Sequence, residues 1–146
     1  MANPNTPLPD SPELEADDSD TSPACVMTFN ANDPSGAAGL TADIAAIVSA
    51  GAHPLAVVTG AYVRDTAEIF DHFAFDDEAV TDQARSALED MPVSAIKVGF
   101  VGSPENISTI AEIASDYAEV PLIATCPACP GGMKVKSTAT LMLSGN

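Results

Sequence analysis

From Cys25 onward, short apolar runs alternate with stretches of helical spacing. Cys25 to Phe29 is an apolar run with β-branched and aromatic members, which predicts a buried strand. A glycine-containing turn follows, Asn32-Asp33-Pro34-Ser35-Gly36. Between Ala37 and Ala50, Leu40, Ile44, Ile47 and Val48 recur at helical intervals, and Gly51 supplies the stop. Pro54 to Gly60 reads as a second buried strand, and weaker alternation over Ile69 to Phe75 predicts a shorter third one. Asp76-Asp77-Glu78 favours a helix start electrostatically, and Val80, Ala84, Ala87, Leu88 and Met91 carry that helix to Pro92. Val93 to Phe100 is the next strand. Ser103 then fits a helix N-cap with Pro104 in the first helical position, and Ile107, Ile110, Ile113 and Ala114 form the apolar stripe. Val120 to Thr125 is the last strand predicted.

This β-α-β-(β)-α-β-α-β order predicts an α/β fold, a mostly parallel sheet with helices packed on its faces. The strands are continuous apolar runs, as expected when both faces are covered. In such sheets ligands sit beyond the C-terminal strand ends. The loops that qualify are residues 30–39, 61–66, 99–104 and 126–132.

Composition narrows the class. The chain has 146 residues, 46% of them hydrophobic and 18% charged, enough for one packed domain. Against 21 Asp plus Glu stand only 5 Lys plus Arg, a net charge of −16. So few cations argue against gripping nucleic acid by its phosphates and against docking on an anionic membrane. No apolar run is long enough to span a bilayer, and the start lacks the cationic segment of a signal peptide. The reading is a soluble, acidic, cytoplasmic protein. Residues 1–24 stand apart: Pro4, Pro7, Pro9, Pro12 and Pro23 mix with six acids and no base, which predicts a disordered tail. Residues 25–125 form the predicted α/β domain and residues 126–146 an irregular C-terminal tail.

The loop from Asn30 to Gly39 offers small residues where a ligand can approach closely, and backbone N–H groups at the following helix start. It matches neither the dinucleotide nor the phosphate-loop fingerprint, so on spacing alone a plain structural turn is the favoured reading. The stretch DPSGAAGLTADI, then Gly51-Ala52, VVTGAYVRDT and IKVGF, resembles the N-terminal half of the hydroxymethylpyrimidine/phosphomethylpyrimidine kinases of thiamine biosynthesis, over residues 25 to 125. The resemblance implies a three-layer, partial ribokinase-like fold, and an activity that uses ATP and Mg2+ to phosphorylate a pyrimidine. It implies a pyrimidine pocket with Gly36, Ala38 and Gly39 as floor, Asp43 close by, and Lys97 and Gly99 at a strand end. Without it, Asp43 reads as a residue on a solvated helix face and Lys97 as a strand residue with a snorkelling head.

The chain departs from the family at several points. Arg64 stands where the family carries Gln or Glu toward the pyrimidine edge; an arginine only donates and adds a permanent charge, which suits a carboxylate or phosphate. Asp65 beside it is a candidate partner for Arg64. Phe100 replaces a methionine on the pocket wall, Ala31 replaces a glycine, and Cys126 falls where the family has an aspartate. The family's nucleotide site and catalytic turn come from a C-terminal half, and no residue after Thr125 matches them, so no catalytic residue is identified. A truncated or frame-shifted terminus fits this ending.

Cys126 and Cys129 form C-x-x-C, open to a thiol redox or metal reading, though Pro130-Gly131-Gly132 follows where a redox motif needs a helix. With Cys25 the cysteines number 3, no disulfide framework. His53 and His72 show no triad spacing. The sequence thus supports a pyrimidine kinase represented by its N-terminal half. The alternative is a non-catalytic small-ligand-binding or regulatory module on the same fold. A third reading is a degenerate fragment without function, whose missing sheet partners would leave an exposed edge and predict a homodimer or aggregation.

Overall fold

The computed structural model describes residues 22–125. In chain order the elements are β1 Cys25–Asn32, α1 Gly39–Ser49, β2 His53–Arg64, β3 Ile69–Ala74, α2 Asp77–Asp90, β4 Val93–Val98, α3 Pro104–Asp116 and β5 Leu122–Ala124. They build one five-stranded sheet in the order β3-β2-β1-β4-β5. β1 pairs in parallel with β2 and β4, and β4 with β5, while β3 alone runs antiparallel, against β2. The predicted α/β fold with a mostly parallel sheet is the observed one.

Alternation along β1 divides the layers, because successive side chains point to opposite faces. Met27 and Phe29, both fully buried, join Leu55, Val57 and Ile96 beneath α2 and α3, which contribute Val80, Ala84, Leu88, Ile110 and Ile113. Thr28 and Asn30 face the other way, toward α1, where both hydrogen-bond Asp43. The sheet is therefore the middle of three layers.

Local chemistry sets the starts of α2 and α3 as expected. The Asp76 carboxylate accepts from Ala79 N–H at 2.8 Å, and the Ser103 hydroxyl accepts from Asn106 N–H with Pro104 just behind it. Inside α3, the buried Asn106 side chain donates to the carbonyls of Phe75 and Val101, tying two loops to the helix start. Gln83 of α2 reaches the outer edge of β2, donating to Val58 C=O and accepting from Val58 N–H. It closes the ladder where β3 does not reach.

Some boundaries differ from the expectation. β2 runs on to Arg64, so most of the expected loop at 61–66 is strand; antiparallel pairing with β3 from Gly60 onward holds it extended. The hairpin turn is drawn in by the Asp65 carboxylate, which accepts from Ala67 and Glu68 N–H. α1 starts at Gly39 rather than Ala37 because the preceding turn is held by Asp33. Val48, expected on the buried stripe, is 56% exposed. β4 ends at Val98, where Phe100 N–H turns to the Asn30 side chain. Apart from residues 22–24, the expected N-terminal tail lies outside the described residues. So do the expected C-terminal tail and Cys126 with Cys129. Among the described residues no helix is long and apolar enough to cross a membrane.

Candidate functional site

The C-terminal ends of β1 and β4 open into a cavity of about 250 Å³. Its floor is backbone, Ala38 and Gly39 at the entry to α1, with Ala42 a turn further on. Gly39 sits at φ +64°, and a Cβ there would lie 2.5 Å from the Ala31 carbonyl. Only glycine lets the helix start come down this close on β1.

A polar edge comes from two strands and a helix. Asp43 accepts from Thr28 Oγ1 at 2.7 Å, from Asn30 Nδ2 at 2.9 Å and from the Lys97 ammonium. Burial pushes its carboxyl pKa up, but the hydrogen bonds from Asn30, Lys97 and Thr28 outweigh it and hold the group below the usual 3.8. Asp43 is therefore an ionised, hydrogen-bonded group, and the solvated-face reading gives way. Lys97 is likewise paired within the cavity rather than snorkelling outward. Asn30 is the hub: its Oδ1 accepts from Ala31 and Phe100 N–H while Nδ2 donates to Asp43. A Cβ on Gly99 would collide with the Asn30 amide, so glycine there lets β4 close against it.

Aromatic rings form the opposite wall. Phe100 and Tyr62 lie 5.0 Å apart between centroids at 46°, and His72 meets Phe100 edge-on at 5.1 Å and 81°. Burial holds the Tyr62 phenol above its ordinary 10, so it stays neutral.

Of the residues singled out from the sequence, Ala38, Gly39, Asp43, Lys97, Gly99 and Phe100 line this cavity. Gly36 and Arg64 do not. Gly36 takes φ +72° in an exposed part of the turn, and its N–H donates to Asp33 C=O. Arg64 turns inward. Its guanidinium lies 3.4 Å from the buried Asp33 carboxylate, and its Nε donates to the backbone carbonyl of Asp65 rather than to the Asp65 side chain. Asn30, Thr28 and Tyr62 were missed. Thr28 sits inside an apolar run that reads as strand, while Asn30 and Tyr62 lie in stretches that read as loop, and only the packing of α1, β3 and β4 brings the three to this site.

The arrangement can grip a small planar heteroaromatic ring. Asn30 and Lys97 retain donor capacity and Asp43 accepts, facing two aromatic side chains across a backbone floor. The same fold recurs in known proteins. The phosphomethylpyrimidine kinase family profile matches residues 33–132. A hydroxymethylpyrimidine/phosphomethylpyrimidine kinase of Streptomyces coelicolor is 32% identical over 91 residues, 62% of this chain and 34% of that protein. The crystal structure of the phosphomethylpyrimidine kinase of Clostridium difficile 630 superposes with a TM-score of 0.65 at 29% identity, covering 69% of this chain and 44% of the other. A pyridoxal kinase of Bacillus subtilis, 20% identical with a TM-score of 0.65 over 78% of this chain and 44% of that one, shares the fold. The chain spans about a third of the length of the curated relatives it matches first. With the match spanning residues 33–132, which include the turn, α1, β2 and β4, the chain belongs to the phosphomethylpyrimidine kinase family.

Proposed function

We propose that the cavity binds hydroxymethylpyrimidine or its monophosphate, and that this chain supplies the acceptor side of an ATP-dependent kinase of thiamine biosynthesis acting in the cytoplasm. One observation carries the reading. The Asn30–Asp43–Lys97 edge offers donors and an acceptor side by side, facing Tyr62 and Phe100. An aminopyrimidine presents the complementary pattern, an exocyclic donor beside ring acceptors.

ATP and Mg2+ are implied by the family, and none of the described residues is assigned to either. All three cations there, Arg64, Arg85 and Lys97, are paired with carboxylates. No group of three or more His, Cys, Asp or Glu among the described residues could hold a metal ion. Phosphoryl transfer needs concentrated positive charge, so no step of it is assigned to these residues. Their part is to bind and orient the ring.

A thermal melt of the full chain with and without hydroxymethylpyrimidine tests the proposal. A hundredfold excess of ligand over Kd stabilises by about 2.7 kcal/mol, which raises Tm by several degrees in a domain of this size. A cooperative transition that saturating ligand leaves unmoved counts against a pyrimidine site. The second reading, a binding module without turnover, is favoured by the pairing of every described cation. It predicts the same shift with no ADP formed when ATP is added.

The proposal includes association of two copies. β3 is an edge strand exposed along its whole length, with Phe70 and Phe73 60% and 61% exposed. Such edges pair. Sedimentation should show a dimer that Phe73→Lys returns to monomer, and a monomeric wild-type chain at high concentration would remove this part.

A further inference from the structure

We infer that His72, on the exposed edge strand and outside the cavity, is a positioning residue that decides which ring the cavity accepts, by holding the Phe100 wall in place. This rests on the pyrimidine-pocket reading and adds a determinant of selectivity to it.

Phe100 is fixed at both ends. Its backbone is pinned by neighbours in the sheet: its N–H donates to Asn30 Oδ1 at 3.1 Å, and its carbonyl accepts from the buried Thr59 hydroxyl. Backbone anchoring alone leaves the side-chain torsions of a phenylalanine free to choose among wells. Two rings make that choice. Tyr62 leans on Phe100 from inside the cavity, and His72 meets it edge-on from β3. Tyr62 and His72 are direct partners across the β2–β3 ladder, so the hairpin delivers both rings as a unit. Edge-to-face contacts of this kind are directional, and each carries free energy beyond simple area burial. With His72 gone, the Phe100 ring loses the contact on its outer side and can swing away from the cavity, which widens it. A six-membered ring with few substituents then loses its close wall, and a more heavily substituted ring gains room.

The two probes are hydroxymethylpyrimidine and pyridoxal, a pyridine carrying more substituents. Calorimetric titration of the full chain with each gives a ratio of dissociation constants. We expect wild type to favour hydroxymethylpyrimidine. His72→Ala should shrink that preference about tenfold, the order of one aromatic contact, and His72→Phe should restore it. A purely structural role would lower Tm while leaving the ratio alone, so melts of the same variants accompany the titrations. Phe100→Ala provides the second arm, with at least as large a change in ratio and no further effect of adding His72→Ala. An unchanged ratio in His72→Ala, with wild type binding either probe, overturns the inference and leaves the pocket reading intact. Failure of wild type to bind either probe overturns both.

Discussion

Asp33→Ala should lower the unfolding free energy by about 3 kcal/mol, read from urea denaturation at neutral pH. The Asp33 side chain is fully buried, and its Oδ1 accepts from the amide and hydroxyl of Ser35 while Oδ2 accepts from Ala38 N–H. Arg64, 12% exposed, pairs with the same carboxylate. Truncation frees the turn that leads into α1 and leaves a mostly buried guanidinium without its anion, the costlier half of breaking such a pair. Adding Arg64→Leu should recover part of the loss, because the stranded charge goes with it. Full additivity of the two substitutions would mean that the ion pair contributes nothing. The same carboxylate sets an acid limit. Burial raises its pKa, but the bonds from Ser35 and Ala38 and the charge of Arg64 outweigh burial and hold it below 3.8. A depressed folded pKa means that the contribution is complete above 3.8 and is lost as pH falls through the lower folded value. Wild-type stability should therefore drop below about pH 4, more steeply than that of the variant.

Gly39→Ala comes next, at about 3 kcal/mol, and it should also abolish ligand-induced stabilisation. The added methyl would sit 2.5 Å from the Ala31 carbonyl and 2.8 Å from Asp33 Cβ, on a residue already at φ +64°. Neither neighbour has room to retreat: Ala31 is a buried strand residue and Asp33 holds the turn. Gly51 is the control. It adopts φ +79° with nothing within 4 Å of its would-be Cβ, so Gly51→Ala carries only the conformational cost of about 1 kcal/mol. Equal losses in the two variants would show that the close descent of α1 on β1 is not tight.

Helix starts were readable because their chemistry is local. Ser103-Pro104 and Asp76 act within three residues, and they cap where the sequence places them. The core face was readable for the same reason, since Met27, Phe29, Val57 and Ile96 occupy apolar runs. Pairing at long range was not. The extension of β2 through Arg64 depends on β3 folding back against it, and nothing in Ala61-Tyr62-Val63-Arg64 announces that. Two charged partnerships were equally hidden: Asp43 meets a lysine 54 residues away and Arg64 an aspartate 31 residues before it. Arg64 read alone suggests an anion receptor, whereas its buried partner makes it a brace for the turn. The resemblance located the cavity through glycines and Asp43. It also set Phe100 on the wall, but the rings that meet Phe100, Tyr62 and His72, came into view only with the β2–β3 hairpin.

The pairing of Arg64, Arg85 and Lys97 gives encounter with this protein a sign. On a chain of net charge −16, no described cation is left to draw an anion inward. A neutral pyrimidine alcohol diffuses to the cavity indifferent to ionic strength. Its phosphate ester climbs a repulsive field that salt screens within about 8 Å at physiological strength, so it arrives faster as salt rises. On the proposed reading, the alcohol and its phosphate would then be told apart on approach, before either touches Asp43.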